Sequence, residues 1–264
     1  MGFAIPAAFE CLSKMSNLFL SKPPGFRYDR GLDYLNPLKK GSSSMSKYYD
    51  AERIKELVAS DRHRVVIGGL WEELGTLQLN CLQHLGMKPS SSVLDVGCGS
   101  LRLGAKLVDF LDPGQYYGTD LNLPLLDAGY ERELSEQLRT KLPRENLIEH
   151  DATQALPIEM SFDFIVAFSL FTHLHPDQCL SVLRSISQCM HPQSTVMATF
   201  FVTDHNPHLP SEQSAGITTY PDRDPFHLSQ EQITSLGGKV GLVLRPIDGF
   251  SHPRNQRLFK IKQN

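Results

Sequence analysis

The sequence predicts an α/β fold built on a mainly parallel sheet of seven strands, with helices on both faces. Three observations predict it. From residue 48 to the C-terminus, apolar strand-like runs alternate with amphipathic helical runs, and such alternation implies right-handed crossovers between parallel strands. Runs such as FDFIVAF at 162–168 are almost wholly apolar, as strands covered on both faces are. At 92–97 an apolar run passes directly into a glycine loop and then into a helix.

The elements follow in order. Residues 48–59 and 71–85 carry helical spacing of apolar residues. A buried strand is predicted at 92–97 and a helix at 101–111, which Pro113-Gly114 stops. Strands at 115–120 and 146–151 flank a single charged amphipathic helix at 125–141. The apolar strand at 162–168 precedes a helix at 176–190, closed by His191-Pro192, and a strand at 194–202. A polar stretch spans 204–226, and connections of that length in compact domains are often functional. A helix at 229–236 and strands at 239–244 and 256–262 complete the chain. No convincing helix joins the last two strands, which points to an antiparallel strand at the end.

Residues 1–47 differ from the rest. Pro23-Pro24-Gly25, Lys39-Lys40-Gly41 and Ser42-Ser43-Ser44 are breakers and flexible residues, so this part reads as a poorly ordered extension ahead of a domain at 48–264. Its apolar start lacks the leading positive charge of a secretory signal and is interrupted by Pro6, Glu10 and Lys14. No apolar run reaches the roughly 18 residues of a membrane span. Cys11, Cys81, Cys98, Cys179 and Cys189 are odd in number and widely spaced, which suits a reducing cytoplasm better than a disulfide framework or a zinc site. A formal net charge of -3, without a basic run, argues against a nucleic-acid partner.

The motif with the most chemistry is Val93-Leu94-Asp95-Val96-Gly97-Cys98-Gly99-Ser100. Glycine lets backbone approach a ligand where a Cβ would clash, and ligands of open α/β sheets bind at the carboxyl ends of strands. A dinucleotide fingerprint needs a third glycine where Arg102 stands, and a phosphate-binding loop needs a Gly-Lys-Ser/Thr ending that is missing. Asp95 would repel a pyrophosphate, whereas a cofactor carrying an ammonium group would be attracted to it. Cys98 reads as a small apolar spacer. Asp120 and Asp151 end the next two strands. Asp120 is placed to accept hydrogen bonds from ribose hydroxyls, although a helix N-cap is also open to it; Asp151 is equally open to a turn role.

On these residues the chain resembles the class I S-adenosylmethionine-dependent methyltransferases, whose first motif is an apolar strand, an acid and Gly-x-Gly, as in VLDVGCG. The resemblance runs from about residue 64 to the C-terminus. It implies a Rossmann-like fold, S-adenosyl-L-methionine as cofactor and methyl transfer as the reaction. It departs from the family at Leu101, where a third glycine is common. The cofactor site it implies consists of Asp95, Gly97, Cys98, Gly99, Ser100, Asp120, Leu121, Asp151, Ala152, Phe168 and Ser169, with Asp151 and the amide after it facing the adenine. No metal is expected.

His173, in Phe171-Thr172-His173-Leu174, is the candidate base, since a histidine accepts a proton near neutral pH; a helix-start residue satisfied by backbone is the plainer alternative. Trp71 is open to covering the cofactor or to packing in the core. The Asn-Pro-Pro-Tyr type signature of many nucleic-acid and amide methyltransferases is absent after the fourth strand, which favours a small-molecule acceptor such as a sugar, a polyketide or another metabolite. The competing readings are a nucleotide-dependent oxidoreductase and a non-catalytic member of the fold that binds the cofactor.

Overall fold

The computed structural model describes residues 46–264. The predicted extension lies outside the described residues apart from Ser46 and Lys47. Five strands pair in parallel: β1 (Val93–Val96), β2 (Tyr116–Asp120), β3 (Leu147–Glu149), β4 (Phe162–Ala167) and β5 (Met190–Phe201). A hairpin of β6 (Ser211–Gln213) and β7 (Ile217–Thr219) stands apart from them. β8 (Leu242–Ile247) and β9 (Gln256–Gln263) complete a seven-stranded sheet of order β3-β2-β1-β4-β5-β9-β8. β9 is antiparallel to both β5 and β8. The direct β8–β9 connection thus inserts the last strand between its two predecessors.

Among the described residues, eight α-helices surround the sheet: α1 (Ala51–Ala59), α2 (His63–Val66), α3 (Trp71–His84), α4 (Gly104–Phe110), α5 (Leu123–Ala128), α6 (Glu136–Lys141), α7 (Pro176–Gln188) and α8 (Gln230–Gly238). Side chains alternate across a strand, so each strand feeds two cores. Leu94, Val96, Ile165, Ala167, Val196 and Ala198 pack with Val182 and Ile186 of α7 and Ile233 of α8. Val93, Phe164, Val166 and Met197 pack on the other face with Cys81 and Leu82 of α3 and Leu107 of α4. A third, smaller core joins Ile54 and Val58 of α1 to Leu125 and Ala128 of α5. It places the N-terminal helices over the carboxyl ends of the strands.

Several predicted boundaries shift for local reasons. The helix predicted over 48–59 is a 3-10 turn, Lys47–Tyr49, and then α1, because the Asp50 carboxylate accepts from the Arg53 amide and starts a new helix. The single helix predicted over 125–141 is three pieces. A π-turn, Gly129–Glu133, follows α5; Leu134 is extended, and Ser135 caps α6 by accepting from the Leu138 amide. Gly129 explains the first break: a Cβ there would sit 2.6 Å from Leu101 Cγ and 2.8 Å from the Ser100 carbonyl carbon. The glycine lets this turn press against the glycine loop. Met190-His191-Pro192 does not merely end α7 but already belongs to β5. The β4–β5 register shifts between Phe162 and Phe164, and that irregularity accommodates the proline.

Candidate functional site

β1 lies next to β2 on one side and β4 on the other, so the strand order switches direction across the sheet at β1. Open α/β sheets bind ligands at such a switch point. A cavity of about 1300 Å³, counting its open mouth, lies there. Of the predicted site residues, Asp95, Gly97, Cys98, Gly99, Asp120, Leu121, Asp151, Ala152, Phe168, Ser169 and His173 all line it. Ser100 does not. It is fully buried beneath the loop, where its hydroxyl donates to the His63 carbonyl at 3.4 Å.

The glycine loop is built around left-handed backbone. Gly97 has φ +76° and Gly99 φ +57°. A Cβ on Gly99 would meet Ile67 Cγ2 at 2.7 Å. Leu101 also has φ +66°, so the turn keeps its left-handed form at the position where the resemblance leads one to expect glycine. That conformation costs a residue with a Cβ about 1–2 kcal/mol. Full burial of the leucine side chain contributes roughly 1.5–3 kcal/mol and offsets it.

Three carboxylates lie at or near the carboxyl ends of β1, β2 and β3: Asp95, Asp120 and Asp151. Burial pushes Asp95 up to about 7, against the hydroxyl of Tyr116, which donates to it at 3.2 Å. Burial also raises Asp120, while two backbone amides work against that rise: Gly99 donates at 2.9 Å and Asn122 at 3.0 Å. Asp120 thereby ties the glycine loop to the end of β2, and the N-cap of α5 is Asn122 rather than Asp120. Asp151 accepts from the Thr153 amide at 2.9 Å, a turn contact, and from the Tyr49 hydroxyl at 3.4 Å. Cys98 is buried and its thiol lies well above the usual range, so it is neutral and suited to a spacer role.

Past β4 and β5 the lining changes character. Ser169 adopts φ +61°, a strained conformation held by its surroundings. Its amide donates to Thr199 Oγ1 at 2.7 Å, and its hydroxyl to Gln256 Oε1 at 3.0 Å. His173 Nδ1 lies 2.6 Å from Asp224 Oδ1, and Ser46 Oγ donates to Asp224 Oδ2 at 2.8 Å. Burial alone would raise Asp224, but the His173 and Ser46 contacts outweigh it and hold it below the ordinary carboxylate value. An ionised Asp224 only accepts, so Nδ1 of His173 donates to it, and Nε2 is the ring nitrogen left for another partner. The Tyr48 ring meets His173 edge-on, with centroids 4.9 Å apart. His173 is therefore fixed by a side chain 51 residues away, and not by the backbone of a helix start.

Tyr48, Tyr49, Ile67, Asn122, Ile217, Pro225 and Gln256 also line the cavity without any motif marking them in sequence. Trp71 does not reach it and instead packs under the Arg64 guanidinium, 4.6 Å from its ring. Among the described residues, no group of three or more His, Cys, Asp or Glu is placed to hold a metal ion, and no helix is long and apolar enough to cross a membrane.

Two left-handed glycines and three carboxylates, Asp95, Asp120 and Asp151, line one cavity. Residues 94–196 match the family model described as "Methyltransferase domain". Residues 94–196 thus carry a methyltransferase domain. Solved structures share its fold. A glycopeptide N-methyltransferase, MtfA, is 17% identical with a TM-score of 0.54, over 72% of this chain and 90% of its own. The DhpI complex with S-adenosylhomocysteine is 13% identical with a TM-score of 0.57, over 84% and 99%. Magnesium protoporphyrin IX methyltransferase from Synechocystis PCC 6803 is 13% identical with a TM-score of 0.55, over 81% and 100%. The seven-stranded sheet, with its antiparallel final strand, accounts for this shared fold.

Proposed function

We propose that this methyltransferase acts on a small-molecule acceptor, such as a sugar, a polyketide or another metabolite, bearing a hydroxyl or amine. One observation carries the reading: a single cavity holds the glycine loop with its three carboxylates and also a histidine oriented by a buried aspartate. Asp95, Gly97, Cys98, Gly99, Asp120, Leu121, Asp151, Ala152 and Phe168 are assigned to holding the cofactor. Residues 48–264 are assigned to the catalytic domain. S-adenosylmethionine, when bound, supplies a methyl group on a sulfonium that is a good leaving group.

The protein's part is then mainly positioning, and orientation of reactants is worth about 7–11 kcal/mol in ideal cases. Nε2 of His173 takes the acceptor proton, and Asp224 stabilises the imidazolium that results. Tyr48 and Tyr49 from the N-terminal segment, with Ile217 and Pro225 from the long polar stretch, bound the cavity and favour a compact acceptor. A net charge of -3 gives no support to a polyanionic partner. The free, buried thiols of Cys81, Cys98, Cys179 and Cys189 support a cytoplasmic setting.

Incubating the protein and a metabolite extract with cofactor labelled in the methyl group tests this directly. Label should appear in a low-molecular-weight product. His173→Ala should slow its formation about 100-fold or more, with S-adenosylhomocysteine affinity unchanged. Label found solely in protein or nucleic acid would refute the acceptor class.

A further inference from the structure

The β4–β5 side of the cavity holds a buried amide whose donors are unspent. Gln256 opens β9, where it pairs with Phe201 at the end of β5, and both residues line the cavity. Gln256 is only 4% exposed. Its neighbours fix which way the amide points. The Thr199 hydroxyl is wholly buried and accepts from the Ser169 amide at 2.7 Å, so its own proton goes to Gln256 Oε1, also at 2.7 Å. Ser169 Oγ donates to the same oxygen at 3.0 Å. Both lone pairs of Oε1 are thereby engaged, and the two N–H bonds of Nε2 are left over. Among the described residues Nε2 meets no hydrogen-bond partner.

A buried amide that donates to nothing is uncommon in a folded protein, because its desolvated N–H groups gain no compensating bond. The lining around it is largely apolar: Tyr48, Phe168, Phe201, Ile217 and Pro225 share the cavity. His173 lies on the 3-10 turn Phe171–His173, four residues after Ser169, and Thr172 of that turn donates through Oγ1 to the Ser169 carbonyl at 2.8 Å. Ser169 thus joins the histidine turn to Gln256. With Oε1 engaged, Gln256 offers only donors to a ligand. A carbonyl oxygen finds a partner there, whereas an ammonium group or another pure donor does not.

We propose that Gln256 is a specificity-determining residue: its Nε2 donates to a carbonyl oxygen on a compact, largely apolar acceptor that also carries the hydroxyl or amine to be methylated. The inference rests on the reading that this cavity takes a small acceptor beside S-adenosylmethionine. The plain alternative is that Gln256 only pins Ser169 at its φ of +61°. Gln256→Glu separates the two, since a carboxylate oxygen still accepts from Ser169 and Thr199 while the donor is gone.

The probes are meta-hydroxyacetophenone, a phenol that also carries a carbonyl, and meta-ethylphenol, which has nearly the same shape without that oxygen. Each is titrated into the full chain, isotopically labelled at its glutamine amides and saturated with S-adenosylhomocysteine, and followed by calorimetry and by nuclear magnetic resonance. The side-chain amide signal of Gln256 is the one that Gln256→Glu removes. In wild type, meta-hydroxyacetophenone should bind about tenfold more tightly than meta-ethylphenol. It should also shift the Gln256 signal, which meta-ethylphenol leaves in place. Gln256→Glu should abolish the preference and keep S-adenosylhomocysteine affinity within about twofold. Should Gln256→Glu not fold, Gln256→Met, which also lacks the donor, reads the same comparison. The proposal is overturned if wild type shows no preference, if the Gln256 signal responds to neither probe or to both alike, or if the preference survives in Gln256→Glu. Incubation of a metabolite extract with methyl-labelled cofactor reports on the underlying reading separately: label absent from every low-molecular-weight product refutes a small acceptor, and this inference with it, whatever the probes show.

Discussion

On the β1–β3 side of the cavity, each strand-end acid has a partner nearby in sequence, although Tyr49 also reaches Asp151 across 102 residues. Asp120 is held by amides 21 residues before it and two residues after it, and Asp151 by a residue two positions on. On the β4–β5 side the side chains of His173 and Ser169 are held from far away. Asp224 reaches His173 across 51 residues and Ser46 across 178, and Ser169 reaches Gln256 across 87. The first wall depends on strand ends and one loop, which any chain of this fold must form. The second depends on the N-terminal segment and the long polar stretch arriving together. Connecting segments vary more readily than the elements they join. Under the proposed function, the difference is a division of labour: the first wall would serve the constant cofactor, and the second an acceptor particular to this protein.

The strongest way to break the first wall alone is at its glycine. Gly99→Val forces a β-branched residue to φ +57° and drives a Cβ toward Ile67. Strain of about 1–3 kcal/mol is expected from the backbone alone. Affinity for S-adenosylhomocysteine should fall more than about 100-fold in a calorimetric titration. Retention of wild-type affinity would mean that the loop does not approach the ligand.

A subtler probe of the same wall is pH. Asp95 titrates near 7 in the folded protein, against an ordinary 3.8. Between those values the folded state holds a proton that the unfolded state has lost. Stability from this group is thus present at low pH and is lost as pH rises from about 4 to 7, by a few kcal/mol. The melting temperature of Asp95→Asn minus that of wild type should therefore rise through this window. A bound ammonium group favours the carboxylate, so saturating S-adenosylhomocysteine should flatten the rise. A difference independent of pH, with or without ligand, would remove Asp95 from the cofactor wall.

The same division explains what was legible in sequence. The seven strands, the glycine loop and the acids at three strand ends are written in periodicity and in short motifs, and the structure gathers them in one cavity. The residues 125–141 read as one helix because their apolar spacing is continuous. What interrupts them is the packing of Gly129 on Ser100 and Leu101, a tertiary contact that no local pattern records. Asp224 sits in a polar stretch without periodicity, so its pairing with His173 was not visible. Ser100 was assigned to the lining because it is contiguous with Gly99. Direction along the chain does not tell which side chain of a tight turn faces a ligand.

The comparison between the two walls is tested most directly by measuring S-adenosylhomocysteine binding to Asp120→Ala and Asp224→Asn side by side. Asp120→Ala removes a charged acceptor and leaves the amides of Gly99 and Asn122 without their partner. Charged hydrogen bonds contribute about 1.5–3 kcal/mol each, so affinity should drop roughly ten- to a hundredfold or more. Asp224→Asn should bind within about twofold of wild type, because its side chain supports His173 and not the cofactor. Equal losses in the two variants, or a loss confined to Asp224→Asn, would contradict the account.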